Sequence, residues 1–143
     1  NIDYIEEPLI DARLLAQFHA ETGIPIALDE SLRSLGHALP GVAAVIIKPG
    51  IHGGFYESIR LIEWARAHAM RPIISSAFLS AVGLRVAAHL AAAYSPDDAC
   101  GLATSRWLAQ DFTAAVKIVR GYLDVRHLND NVDVSPTLLR EVR

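Results

Sequence analysis

Short apolar runs alternate along this chain with longer stretches whose apolar residues recur at helical spacing. Residues 2–6 read as a strand, and Pro8 stops it because its ring removes a ladder donor. Asp11 is placed to cap a helix to about Thr22, with Leu14, Leu15 and Phe18 on one face and Gly23 as its C-terminal stop. Residues 24–29 form the next strand, and Ser31 to Leu39 a short helix or turn closed by Pro40-Gly41. Residues 42–48, carrying Val42, Val45, Ile46 and Ile47, make the most apolar strand. Gly53-Gly54 opens a helix to about Ala69, striped by Ile59, Ile62 and Ala65. A strand runs from Pro72 to Ser75. Residues 80–93 form a helix rich in Ala, Leu and Val, with Ser80 as its N-cap, and Ala99 to Leu102 a small strand.

This alternation of strand and helix at short spacing predicts an α/β fold with a parallel sheet. The unit length suits a (β/α)₈-type barrel, of which residues 1–110 would supply about half. An open doubly wound sheet is the alternative; it usually carries a Gly-rich loop after its first strand, and none is found here. Residues 111–143 differ. Val116 to Val119 and Tyr122 to Val125 flank Arg120-Gly121 as an appended C-terminal β-hairpin, and Thr137 to Val142 reads as a short terminal helix.

Composition sharpens this reading. Hydrophobic residues make up 52% of the 143, as expected for strands buried on both faces. The net charge of -3 gives a nucleic-acid partner no electrostatic support. The apolar stretch from Ile73 towards Leu84 ends at Arg85, short of a membrane span, so no membrane partner is expected. A lone cysteine, Cys100, cannot form an internal disulfide; a reducing cytoplasm is the simplest setting, and a small packing residue the simplest role. The chain opens on Asn1 directly into a strand, so it is expected to be part of something longer.

The chemistry sits at the strand ends. In a parallel barrel every strand aims its C-terminal end at one face, and that face holds the active site. Glu6 and Asp29 are hard oxygen donors on successive strands, suited to Mg²⁺ with waters and substrate oxygens filling its other positions; a pair of capping or salt-bridged acids is the structural alternative. Strand alternation sends Glu7 and Glu30 the other way, as supporting or surface groups. Lys48, ending the most apolar strand, must reach a polar cavity or pair with an acid. Beside a metal it can act as acid, base or cationic stabiliser, and otherwise as half of an internal ion pair. Ser75 and Ser76 can donate to a bound carboxylate or simply end a turn. A serine-hydrolase reading lacks a Gly-x-Ser-x-Gly elbow. Of six histidines, His52 alone lies in the loop after Lys48, where it can approach the site. Pro49 to Gly54 faintly resembles a phosphate loop but lacks its Gly-Lys-Ser/Thr ending, and reads as a tight turn into a helix.

Glu6-Glu7-Pro8, Leu28-Asp29-Glu30-Ser31 and Ile47-Lys48-Pro49 with Gly53-Gly54, in this order and spacing, resemble the enolase superfamily in its muconate-lactonizing-enzyme-like branch. Ile74-Ser75-Ser76, Gly83-Leu84 and Gly101-Leu102 narrow the resemblance towards the o-succinylbenzoate synthases, from about Tyr4 to Leu102. The resemblance implies the C-terminal half of a modified (β/α)₇β barrel, with the first strands and an α+β capping domain in a missing N-terminal part of the same protein. It implies Mg²⁺ held by three carboxylates, of which Glu6 matches the second and Asp29 the third. Lys48 would match one of two lysines facing each other across a small-molecule carboxylate substrate. Such sites abstract a proton alpha to a carboxylate while the metal stabilises the charge that forms; in o-succinylbenzoate synthases water is then lost, in menaquinone biosynthesis. The base there is the other lysine, expected upstream of Asn1, and the Lys48 match steadies the intermediate by its charge. Ser75, Ser76 and Gly101 match positions that bind the substrate's succinyl end. Leu79 departs from the pattern, since many relatives carry Glu there.

Two rivals share the branch, N-succinylamino-acid racemases and dipeptide epimerases. Gly101-Leu102-Ala103-Thr104-Ser105 lacks the Asp-x-Asp that the epimerases typically carry. A rival of another class is a non-catalytic half-barrel, whose two exposed strand edges would favour a homo-oligomer.

Overall fold

A computed structural model describes residues 2–35 and 37–128; the helix expected over Thr137 to Val142 lies outside them. Four strands, β1 (Ile5–Glu6), β2 (Ile26–Leu28), β3 (Val42–Ile47) and β4 (Arg71–Ile74), form one sheet in the order β1-β2-β3-β4. All three pairings are parallel, with Glu6 opposite Ala27, Leu28 opposite Val45 and Ile47 opposite Ile74. Helices α1 (Leu15–Thr22), α2 (Leu32–Leu35), α3 (Phe55–Ala67) and α4 (Ala81–Tyr94) make up the rest of the alternation. Each element overlaps its expected segment, with β4 starting one residue early at Arg71, α4 running one residue further to Tyr94, and the first three strands shorter than expected.

Period-two alternation divides the sheet into two faces. Ile26, Leu28, Val45, Ile47 and Ile74 join one cluster with Leu15, Leu32, Ile62, Ala65, Leu84 and Leu90 from the four helices. Each large aliphatic side chain fully buried there contributes about 1.5–3 kcal/mol. The opposite face carries the smaller cluster of Ala27, Ala44, Ile46 and Ile73, with Tyr4 packed against it. Helices on one face, and strands in chain order without reversal, are the marks of a barrel wall. A doubly wound sheet would carry helices on both faces and a topological switch point.

Local chemistry sets the element ends. The Asp11 carboxylate accepts from the Arg13 N–H at 3.0 Å and starts a 3₁₀ turn (Ala12–Leu14) that runs into α1. Gly23, at φ 69°, ends α1 with its N–H on the His19 carbonyl at 2.8 Å, a left-handed turn that glycine adopts without strain. Ser80 stands at the N-cap of α4, but its side chain makes no capping bond; the Asp111 carboxylate instead accepts from the Ala81 N–H at 2.7 Å.

The two C-terminal expectations hold in reduced form. The small strand near Ala99 to Leu102 is a single parallel bridge between Gly101 and Ser75. The Gly101 N–H donates to Ile74 at 2.9 Å, and the Ser76 N–H to Gly101 at 2.8 Å. The hairpin is one antiparallel bridge, Val119 to Tyr122, across Arg120-Gly121, whose φ values of 51° and 83° make the turn. Its apolar residues go elsewhere: Val116 is buried in the main core, and Leu123 and Val125 pack against it.

Candidate active site at the strand ends

Alternation carries the inner face outward to the strand ends. Glu6 follows Tyr4 by two residues, Asp29 follows Ala27, Lys48 follows Ile46 and Ser75 follows Ile73. These four of the five expected side chains therefore share the face opposite the helices, and Ser76 falls on the other side.

Asp29 is 3% exposed at the end of β2, and the Lys48 ammonium pairs with its Oδ2. Glu6, an exposed residue, ends the neighbouring strand β1 beside Asp29. Partial desolvation and the neighbouring Asp29 carboxylate raise the Glu6 pKa, against the lowering effect of Lys48. Two carboxylates from neighbouring strands, crowded enough for one to resist ionisation, form a donor set that fits a hard divalent cation. Among the described residues no group of three or more His, Cys, Asp or Glu converges, so the carboxylates here are a pair rather than a complete cage.

Glu7 turns away from Glu6, as alternation requires, through a left-handed backbone at φ 42°. Its Oε1 accepts from the N–H groups of Asp29 (2.7 Å) and Ser31 (2.9 Å), and its Oε2 from the Ser31 hydroxyl at 2.8 Å. These charge-assisted bonds tie the end of β1 to the end of β2 and fix the backbone that carries Asp29.

His52 does reach the neighbourhood of Lys48. It is 7% exposed, its Nδ1 accepts from the Lys48 N–H at 2.9 Å, and its own N–H returns to the Lys48 carbonyl at 2.9 Å. Burial lowers its pKa, helped by the charges of Arg33 and Lys48 and opposed by Asp29, so the neutral ring is favoured. In the 49–54 turn the Ile51 and His52 N–H groups donate to the Lys48 carbonyl and the Gly54 N–H to Pro49 at 2.8 Å, the pattern of a tight connector into α3.

At the end of β4, Ser75 is half-buried and Ser76 is 4% exposed. Both hydroxyls reach the Gly101 carbonyl, Ser75 at 3.3 Å and Ser76 at 3.0 Å. A Cβ at Gly101 would stand 2.6 Å from the Ser75 Oγ, so a larger residue there would push the Ser75 hydroxyl aside. The sequence reading missed Thr104, whose hydroxyl lies 2.8 Å from the Ser76 Oγ and accepts from the Phe78 N–H at 3.2 Å. Leu79 packs against Gly50 and Gly83, joining the loop after β3 to α4. Beside it, Phe78, Leu79, Leu108 and Phe112 wall a largely apolar pocket. Cys100 is half-buried with its thiol pKa pushed up by burial, the opposite of an activated nucleophile. No described helix is long and apolar enough to cross a membrane.

Comparison with known proteins gives the family and the fold. The chain is 37% identical over 136 residues to Protein PHYLLO, chloroplastic, of Arabidopsis thaliana, a match covering 78% of this chain and 8% of that protein. It is 37% identical over 110 residues to the o-succinylbenzoate synthase of Pasteurella multocida, covering 72% of this chain and 33% of the enzyme. The crystal structure of MenC from Desulfotalea psychrophila superposes with a TM-score of 0.70 at 28% identity, over 83% of this chain and 36% of that one. The chain thus spans about a third of the length of that synthase, and its fold is that of a C-terminal half-barrel. Residues 1–129 match the family model described as enolase C-terminal domain-like, and the chain belongs to that family.

Proposed function

We propose that the protein containing this chain is an o-succinylbenzoate synthase, a Mg²⁺-dependent lyase that removes a proton alpha to a carboxylate and then loses water. The observation that carries the reading is the convergence of Glu6, Asp29 and Lys48 on one face of the strand ends, beside Ser75. The identity to the Pasteurella multocida synthase supports the choice of substrate.

In this reading Glu6 and Asp29 are the metal ligands. When bound, Mg²⁺ supplies positive charge where the substrate carboxylate gathers electron density. Glu7 holds the Asp29 backbone in place. Lys48, a cation kept close by its pairing with Asp29, faces the substrate and stabilises the negative charge that develops on proton removal. Its backbone is pinned by the buried His52. The Ser75-Ser76-Gly101 corner forms the wall that receives the succinyl end. The base and the remaining ligand come from the N-terminal part of the protein. A reducing cytoplasmic setting suits the single free thiol.

The test is turnover by the full-length protein with Mg²⁺. Formation of o-succinylbenzoate is expected. Asp29→Asn is expected to abolish it, and Lys48→Ala to reduce it on the order of 10²–10³-fold, the scale of losing one preorganised charge stabiliser. Unchanged turnover in Asp29→Asn would overturn the metal assignment. Racemisation of an N-succinylamino acid without any o-succinylbenzoate would move the protein to the rival activity.

A further inference from the structure

We propose that Thr104 and Ser76 form a closed chain of hydroxyl groups that locks the 75–80 loop, leaving Ser75 as the serine that touches substrate. The second half of this statement rests on the function proposed above; the lock does not.

Hydrogen counting supports the lock. Each hydroxyl has one hydrogen to give, and a carbonyl can only accept. The Ser76 Oγ lies 3.0 Å from the Gly101 carbonyl and 2.8 Å from the Thr104 Oγ1. If Ser76 gave its hydrogen to Thr104, its oxygen would face the carbonyl lone pairs with nothing between them. Ser76 therefore donates to Gly101, and Thr104 donates to Ser76. Thr104 then accepts the Phe78 N–H at 3.2 Å. The series runs from the Phe78 N–H through Thr104 and Ser76 to Gly101 with every hydrogen placed. Ser76 is 4% exposed and has no hydrogen left for a ligand.

Backbone strain points the same way. Phe78 holds a left-handed conformation at φ 52°, which an aromatic residue keeps only where its surroundings fix it. Its amide is the group that Thr104 holds. The far end of the loop is fixed separately, by Asp111 on the Ala81 N–H.

Ser75 is placed differently. Its N–H bonds the Ile47 carbonyl at 2.8 Å, and the register that pairs Ile47 with Ile74 sets it beside Lys48. It is half-buried, and its hydroxyl makes only the long 3.3 Å contact to Gly101, so it can turn to a ligand.

The experiment uses the full-length protein with Thr104→Val, Thr104→Ser, Ser76→Ala and Ser75→Ala. Hydrogen exchange of the Phe78 amide reads the lock directly. Thr104→Val and Ser76→Ala are expected to speed it roughly three- to tenfold, the scale of one hydrogen bond, while Thr104→Ser and Ser75→Ala leave it near the parent rate. Steady-state turnover reads the substrate contact, and Ser75→Ala is expected to raise KM roughly tenfold with little change in kcat. Unaltered Phe78 exchange in both Thr104→Val and Ser76→Ala would overturn the lock. A raised KM in Ser76→Ala with Phe78 exchange intact would make Ser76 the direct ligand and overturn the division of roles. Faster exchange in Thr104→Val and Ser76→Ala, restored by Thr104→Ser, in a protein without o-succinylbenzoate synthase activity would uphold the lock and remove the function proposed above.

Discussion

At the scale of single residues, the raised pKa of Glu6 ties stability to pH and, under the proposed function, to metal binding. Its carboxyl takes up a proton more readily in the folded protein than in the unfolded chain, because burial and Asp29 disfavour its charge. By linkage this contribution to stability is complete below the ordinary glutamate pKa and is lost as pH rises through the raised one. Metal-free protein should therefore lose stability over that interval. Glu6→Gln should flatten the loss and weaken Mg²⁺ binding together, as read by denaturant midpoints against pH and by calorimetric titration with Mg²⁺. A midpoint profile identical to that of the parent would remove Glu6 from the coupled pair. Glu6, Asp29 and Lys48 were legible in the sequence because each ends an apolar run, and period-two alternation alone decides the face. Thr104 and Asp111 were not. Their roles exist only through partners 28 and 30 residues away, and neither stands at the end of an apolar run.

At the scale of elements, the contact between β4 and the Gly101 segment is a tight joint. Gly101→Ala would drive a methyl group to within 2.6 Å of the Ser75 Oγ and 3.3 Å of its Cβ. Overpacking of this kind costs about 1–3 kcal/mol. Ser75→Ala removes the nearer atom and should recover part of the loss, so the double variant should unfold at higher denaturant than Gly101→Ala alone. Equal midpoints for the two would place the strain elsewhere. This joint also explains why the last expected strand shrinks to one bridge: the segment approaches β4 closely at the glycine and then turns into the 3₁₀ helix Thr104–Trp107. The helices were readable from their apolar stripes, and the first also from Asp11 and Gly23 at its ends. The hairpin was overread because Val116, Leu123 and Val125 spend their apolar surface on the main core, and a hydrophobic pattern does not say which surface it will cover.

At the scale of the whole molecule, β1 and the Gly101 segment lie at the two sides of the described sheet, where a continued barrel would pair onward. Unpaired strand edges recruit partners. The isolated 143-residue chain should therefore show concentration-dependent species larger than its 15.5 kDa in sedimentation velocity, and a monomer at all concentrations would show that its edges are protected. The order of the sheet carries a consequence for biogenesis. Each strand pairs with the next along the chain, so every new unit finds its template already made and closes only a short loop to reach it. Such a sheet can grow vectorially as the ribosome releases it. Losing units from the C-terminal end leaves a shorter sheet of the same kind, whereas a break at β2 severs β1, and Glu6 with it, from everything synthesised afterwards.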